Sequence, residues 1–559
     1  MVKKLVKLFH SEVNNINQAA LLLGLFTLLS QVLGLVRDRI FASQIGVGIE
    51  LDIYNTAFRV PDLIFAVAAS LVSVAVLIPF FVERLDKSSE QARKFINNVY
   101  SAFFILMIII SGITLILMPI LAPLIAPGFD AGALAKLVAV SRVMLLSPIF
   151  LGISNLFGTI TQAYRKFIAF ALSPVLYGLG IIIGAVVFYP FIGLMGLALG
   201  VVLGAIMHMA VQIPAIKKHG MVPRIKFPVD WPMVWGVIRV SFPRTLTLAF
   251  SQIVLLVMFA LATKIQEGSV TIYRFAFTLQ SVPLALIGLS FSQAAFPTLV
   301  KTFTEKNMDS FRLHIVEPAR QIIFWSTPVI ILFIVLRAHV VRVVLGAGAF
   351  TWDDTRLTAA TLAMFAVSIV AQSMIHLLVR GYYAAGKTSR PLLVNAIGAV
   401  GSVGFGFLFL WLFNSFPNIQ ILVEQVLRIQ NIPGTSIVML ALAFSVGISL
   451  NFVVLWMLFK REFLGGGHMG VAKTFWQTLI ASLSMGVVTY QLLRVFDNIF
   501  DINTFVGLLS QAIFAGGIGI FTALILLKLM KNQELKNISR AIRSRVWKKV
   551  DVVSEGKTL

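Results

Sequence analysis

Fourteen apolar runs, each long enough to cross ~30 Å of hydrocarbon as a helix, recur along this chain and leave it few ways to fold. In lipid every backbone N–H and C=O must find a partner inside the protein, so runs of this length become helices. The expected spans are 18–44, 52–82, 95–119, 134–162, 168–189, 192–216, 233–263, 270–300, 313–336, 355–383, 390–413, 436–459, 471–494 and 503–529. The first run, Leu21 to Val36, leads into Arg37-Asp38-Arg39 with no small-residue cleavage site, and reads as a retained helix. The fold class expected is all-α integral membrane, one bundle that grows sideways by adding helices. Only 12% of residues are charged, against roughly 25% in soluble domains.

The side-chain inventory argues against an enzyme. There is no cysteine, so disulfides, thiolate metal sites and cysteine nucleophiles are excluded. Seven histidines are scattered without ligand spacing, and neither GxSxG nor GxxxxGK[ST] occurs. No cofactor is expected. A net charge of +23 would suggest nucleic acid in a soluble chain; in a membrane chain the first question is which side carries the cations.

Counted in alternate loops from the N-terminus, one set holds 31 Lys and Arg; the other holds seven: Lys136, Lys264, Arg337, Arg342, Arg356, Arg428 and Arg494. The positive-inside rule then puts both termini in the cytoplasm, as the even number of spans also requires. Residues 1–17 read as an N-terminal amphipathic segment. In the tail, 531–559, Leu535, Ile538, Ile542 and Val546 recur at spacings of three and four among Lys536, Arg540, Arg543, Arg545, Lys548 and Lys549. That pattern fits a helix lying on anionic lipid, or a basic tail that only solubilises; neither is a nucleic-acid site.

The sequence also repeats itself. At an offset of 218 to 219 residues, Ile53-Tyr54-x-x-Ala57-Phe58 aligns with Ile272-Tyr273-x-x-Ala276-Phe277. In the same register Pro79 falls on Pro297 and Tyr164 on Tyr383, near Lys166 and Lys387. Six spans fill one period, an even number, so the two copies share an orientation and should be related by a pseudo-two-fold along the membrane normal. The expected organisation is an N-lobe over 18–216, a C-lobe over 217–460 and two added helices over 461–530.

Apart from the residues at span ends counted above with the loops, eight arginines fall within the expected spans: Arg37, Arg39, Arg59, Arg142, Arg239, Arg244, Arg274 and Arg320. One Arg at mid-bilayer costs about 2.5–3.5 kcal/mol on insertion scales, so such residues face protein or water. Arg39, Arg239 and Arg320 lie close enough to span ends to snorkel. Arg37, Arg59, Arg244 and Arg274 instead fall on the first two spans of each copy, where symmetry would bring them together, with Asp38, Asp52 and Asp62 the acids nearby. A shared chamber there would be net positive and would suit phosphate, which guanidinium forks match bidentately. A structural bridge from Arg37 to Asp38 or Asp52 is the alternative. Pro61, Pro243 and Pro283 could bend these helices.

These residues carry a family resemblance. Ser30-Gln31-Val32-Leu33-Gly34-Leu35-Val36-Arg37-Asp38, Asp52, Ala57-Phe58-Arg59-Val60-Pro61 and Ile78-Pro79 resemble the opening of the MurJ/MviN lipid II flippases. The likeness runs on through Ala126-Pro127-Gly128-Phe129, Gln212-Ile213-Pro214 with Lys217-Lys218 and Gly220, Pro283 with Pro297, and Gly381-Tyr382-Tyr383 before Lys387-Thr388. It implies the MOP (multidrug/oligosaccharidyl-lipid/polysaccharide) exporter fold, with a cavity lined by the first, second, seventh and eighth spans and a lipid-tail groove at the last two. It implies substrate-binding roles for Arg37 and Arg59, and gate or cavity positions at Asp38, Ala42 and Asp52. The chain departs from the family at Gln31, Phe65, Phe277, Thr278 and Ser281, where the family's charged residues are missing. Arg244 and Arg274 would then restore the cationic character.

The function this implies is alternating-access transfer of an undecaprenyl-pyrophosphate-linked peptidoglycan precursor across the bacterial cytoplasmic membrane. The partners are that anionic lipid and the surrounding membrane lipids; cell-wall synthesis proteins are partners the resemblance allows. No ATP site is visible, which leaves membrane potential, an ion gradient or product consumption as the drive. The acidic sodium site expected between the seventh and eleventh spans is not evident, since the eleventh offers only Asn395. A polysaccharide-repeat flippase, another MOP-type exporter and a non-transporting scaffold remain the rival readings.

Overall fold

A computed structural model describes residues 16–71, 74–465, 470–502 and 504–546. Among these the chain is helical, with no strand. In chain order the helices are α1 (Ile16–Gln44), α2 (Ile49–Ala57), α3 (Arg59–Leu71), α4 (Val74–Lys87), α5 (Ser89–Ile125), α6 (Ala131–Met144), α7 (Leu146–Ala163), α8 (Phe167–Ile183), α9 (Tyr189–Ile192), α10 (Leu194–Ala210), α11 (Ile213–Lys218) and α12 (Trp231–Thr263). They continue as α13 (Ser269–Pro283), α14 (Ser290–Thr304), α15 (Met308–Val335), α16 (Arg337–Leu345), α17 (Trp352–Ala366), α18 (Ile369–Ala384), α19 (Ser389–Ser415), α20 (Pro417–Leu427), α21 (Ile437–Phe459), α22 (Val471–Phe496), α23 (Phe505–Leu529) and α24 (Gln533–Val546).

Among the described residues, eleven helical stretches are long and apolar enough to cross a membrane, or twelve with the pair α17 and α18, which bend by 42°. The fourteen expected spans are thus not all confirmed. The two that fall short are the arginine-bearing ones at the front of the chain. α1 holds Arg37-Asp38-Arg39, and the second expected span is interrupted at Phe58, between α2 and α3. Proline explains this interruption: Pro61 has no N–H to give Ala57, and α2 ends at Ala57. Pro283 similarly precedes a π-helical turn, Leu284–Leu289, between α13 and α14.

Two compact units result. The first comprises Met1–Val282, Val340–Ser368 and Gly386–Leu455; the second comprises Pro283–His339, Ile369–Ala385 and Trp456–Leu559. In the first, α8 and α10 approach through glycines at every fourth position. A Cβ on Gly200 would lie 2.5 Å from the Cα of Gly184, and one on Gly180 would collide with the backbone of Gly204. Without a hydrophobic force between helices in lipid, such close backbone contact is what holds them. Gly200→Leu is therefore expected to destabilise the chain by on the order of 3 kcal/mol. Gly404→Ala, with nothing within 4 Å, should leave the melting midpoint in detergent unchanged; equal midpoints for both variants would contradict this packing.

In the second unit α15, α22 and α23 share a core of Phe324, Ala481, Met485, Ala523 and Leu527. Leu535 and Ile538 of α24 pack against that core, so this part of the tail's apolar stripe meets protein and not lipid. Side chains beyond Arg540 lie outside the described residues, including Ile542 and Val546. Arg320 does not snorkel: its Nε donates to Glu534 at 2.5 Å. Nor does Arg39, which donates to the carbonyls of Val343 and Val344 at the end of α16. Arg142 donates to the Leu115 carbonyl. Each guanidinium satisfies a backbone or carboxylate acceptor far away in sequence.

Candidate functional site

Three guanidinium groups and two carboxylates converge in the first unit. Arg37, near the end of α1, donates through Nε (2.8 Å) and Nη2 (2.7 Å) to a single oxygen of Asp38. Arg59 opens α3, with Nη2 3.4 Å from Asp62 one turn on, and its Nε donates to the Asn55 carbonyl. Arg274, in the second turn of α13, is within electrostatic range of Arg37, Asp38 and Asp62, and Arg59 is within range of Arg274. Tyr54 and Tyr177 share this field. Arg59 is 6% exposed but Asp62 is 40% exposed, so one edge of the cluster is open.

The cluster is not saturated. Among the described residues, the second oxygen of Asp38 and the hydroxyls of Tyr54 and Tyr273 have no hydrogen-bond partner. Two rings back the guanidinium planes: Arg37 lies 6.0 Å from the ring centre of Phe41, and Arg59 lies 4.2 Å from that of Phe259. Those phenylalanines stand one repeat period apart, and each meets the equivalent tyrosine edge-on, Tyr54 at 5.1 Å and Tyr273 at 5.7 Å. The duplication read from the sequence is thus present in side-chain packing. Arg37 forms the bridge to Asp38 and not to Asp52. Ala42 is fully buried. Arg244 lies on the helical backbone of α12, and its side chain falls outside the described residues.

Beside the cluster, on the side whose loops are poor in Lys and Arg, the helix ends are tied together. Asp52, fully buried, accepts from the N–H of Gly268 (2.8 Å) on one oxygen; the other accepts from the N–H (2.8 Å) and hydroxyl (2.6 Å) of Thr271. It thereby caps the N-terminus of α13 from another helix, where unpaired amides and the helix dipole favour a negative charge. Gly268 sits at φ +86°, a conformation side chains resist, and a Cβ there would strike Val47. Asp52 and Thr271 are 219 residues apart, which is the repeat period, so a residue is bonding to its own counterpart.

Two more pairs flank them reciprocally. Gly128 donates to the Thr263 hydroxyl at 3.2 Å, and Ala349, after Gly348, donates to the Ser43 carbonyl at 3.0 Å. Thr263 follows Ser43 by 220 residues, as Gly348 follows Gly128. A Cβ at either glycine would collide with the facing carbonyl. Contacts exchanged in this way require a two-fold relation, with Asp52 and Thr271 next to its axis.

Chemically, the cluster is a fixed cation. Guanidinium groups stay charged at any relevant pH and present paired donors to phosphate. Gly268 and Thr271 went unremarked in the sequence, although the repeat offset applied to Asp52 leads directly to Thr271. Tyr177 carries no comparable signal.

Comparison with known proteins places the chain in a family. The family model described as lipid II flippase MurJ matches residues 41–510. A probable lipid II flippase MurJ of Rickettsia prowazekii is 26% identical over 386 residues, 68% of this chain and 76% of that protein. One of Vibrio cholerae is 23% identical over 492 residues, 86% of this chain and 89% of its own. Among solved structures, lipid II flippase MurJ in an inward closed conformation superposes with a TM-score of 0.73 at 22% identity, covering 91% of this chain and 98% of that one. An inward-facing MATE multidrug transporter of the MOP superfamily follows at 0.63 and 16% identity, covering 79% and 96%; both establish the fold. With the family model covering most of its length, the chain belongs to the MurJ family of lipid II flippases.

Proposed function

We propose that this protein carries lipid II, or a closely similar polyprenyl-pyrophosphate-linked precursor, across the bacterial cytoplasmic membrane by alternating access. The observation that carries the reading is the cluster of Arg37, Arg59 and Arg274, three guanidiniums against two carboxylates with one edge open. Arg37, Arg59, Arg244 and Arg274 bind the pyrophosphate; Asp38 orients Arg37. Ala42, Asp52, Pro61 and Pro283 serve gating and bending. The Lys- and Arg-rich side is cytoplasmic, with both termini there, so the Asp52 contacts close the periplasmic end. The headgroup enters from the cytoplasm, the polyprenyl chain stays in lipid along α22 and α23, and release follows when the Asp52 contacts part.

Charge sets a direction. An anionic headgroup leaving the cytoplasm moves down an inside-negative potential, at about 2.3 kcal/mol per charge per 100 mV. In liposomes carrying the purified chain, lipid II exposed to an external headgroup reagent should appear faster when the interior is made negative. No exposure at any potential would remove the flippase reading. Exposure of polysaccharide-repeat lipids at an equal rate would widen it to the MOP-type alternative, and a scaffold would move neither.

A further inference from the structure

In the second unit, α14, α15 and α24 line an open pocket of about 500 Å³. Its lining includes His314, Glu317, Arg320 and Gln321 of α15 and Glu534 of α24, with Phe291 and Ala294 contributed by α14. Glu534 is the unusual member. Its side chain is 2% exposed, one oxygen accepts from Arg320 Nε, and the other has no partner among the described residues.

The placement of Glu534 is built, not incidental. Asn532 accepts from the N–H of Leu535 and so caps α24, while its amide donates to Gln477, which in turn donates to the Met530 carbonyl. These bonds fix the first turn of α24, where the helix dipole favours a charged carboxylate at Glu534. Burying such a carboxylate with one oxygen unmatched is costly, and a ligand bearing N–H donors would remove that cost. A second acid, Glu317, lines the same cavity with no ion pair among the described residues. Arg320 donates to Glu534 through Nε, and among the described residues its two Nη groups are left for an anion. Two acids, an arginine and a histidine therefore line the same pocket, a pattern complementary to a zwitterion and not to a simple anion. The Phe291 and Ala294 side continues into helices of membrane-spanning character, where a lipid's chains would lie.

We propose that this cavity binds the headgroup of an ethanolamine phospholipid. Its ammonium donates to the unmatched oxygen of Glu534 and to Glu317, and its phosphate rests on Arg320 and His314. The site is separate from lipid II transfer, so its failure would leave the proposed function standing.

Native mass spectrometry of the full chain, delipidated and then titrated with phospholipids of identical acyl chains, tests this. Phosphatidylethanolamine should be retained about tenfold better than phosphatidylcholine, which keeps the phosphate but has no N–H to donate, and better than phosphatidylglycerol, which has no cation. Glu534→Gln should abolish the preference. Because that change also touches the Arg320 contact that holds α24, Glu317→Gln provides a variant that leaves the contact intact, and it should reduce the preference several-fold. Equal retention of ethanolamine and choline lipids, preferential retention of the glycerol lipid, or an unchanged preference in both variants would each overturn the proposal.

Discussion

Arg274→Glu is expected to slow exposure of the lipid II headgroup by on the order of a hundredfold or more. The change turns three guanidiniums against two carboxylates into two against three, so the cluster reverses sign around the place where a pyrophosphate would sit. Losing one charge-assisted hydrogen bond costs about 1.5–3 kcal/mol, and repulsion adds to it. Arg274→Lys keeps the charge and loses the planar fork, and should cost about tenfold. Arg37→Glu should behave like Arg274→Glu, with the further effect of placing two acids side by side at Asp38. Headgroup exposure in vesicles is the measurement, with the melting midpoint of each variant as the check on folding. Full activity in Arg37→Glu and Arg274→Glu alike would leave the cluster without a role in binding.

Asp52→Ala should unlock the helix ends that this carboxylate ties together. The carboxylate receives three hydrogen bonds from Gly268 and Thr271 in a fully buried setting. Removing it strands those donors at a cost of about 3–5 kcal/mol, paid only while the end is closed. The equilibrium should therefore move towards states in which these helix ends are apart. The absence of native cysteine gives a clean background for the measurement. A cysteine placed at Thr56, fully buried on α2, should react with a membrane-impermeant maleimide at least about tenfold faster with Asp52→Ala than without it. Unchanged protection of that cysteine would mean that other contacts hold the end shut.

The architecture was largely legible because hydrophobic length and duplication are written into the chain at every span. The offset that aligned Ile53-Tyr54 with Ile272-Tyr273 reappears as the matched ring pairs of Tyr54 and Tyr273. Where local pattern was the only guide, reading failed. Arg39 and Arg320 look like span-end residues that could reach water, yet their acceptors are 304 and 214 residues away. The tail's apolar stripe left a lipid-lying helix and a solubilising tail both open, because sequence periodicity marks a face but not what covers it. The second span read as continuous because its apolar content hides a break that one proline imposes. Arg274 had no acid on its own helix; Asp38 and Asp62 reach it from two others, a convergence only the fold supplies.

The bond between Asp52 and Thr271 has a further meaning. Two identical side chains on opposite sides of a dyad must face one another, so a strictly symmetric assembly of this shape could place no acid there without opposing it to a second acid. Joining both halves in one polypeptide lifts that restriction: one half supplies the acceptor and the other the donors. The latch is therefore asymmetric within a symmetric frame, and neither residue can be replaced by its counterpart without losing the complementarity that closes it.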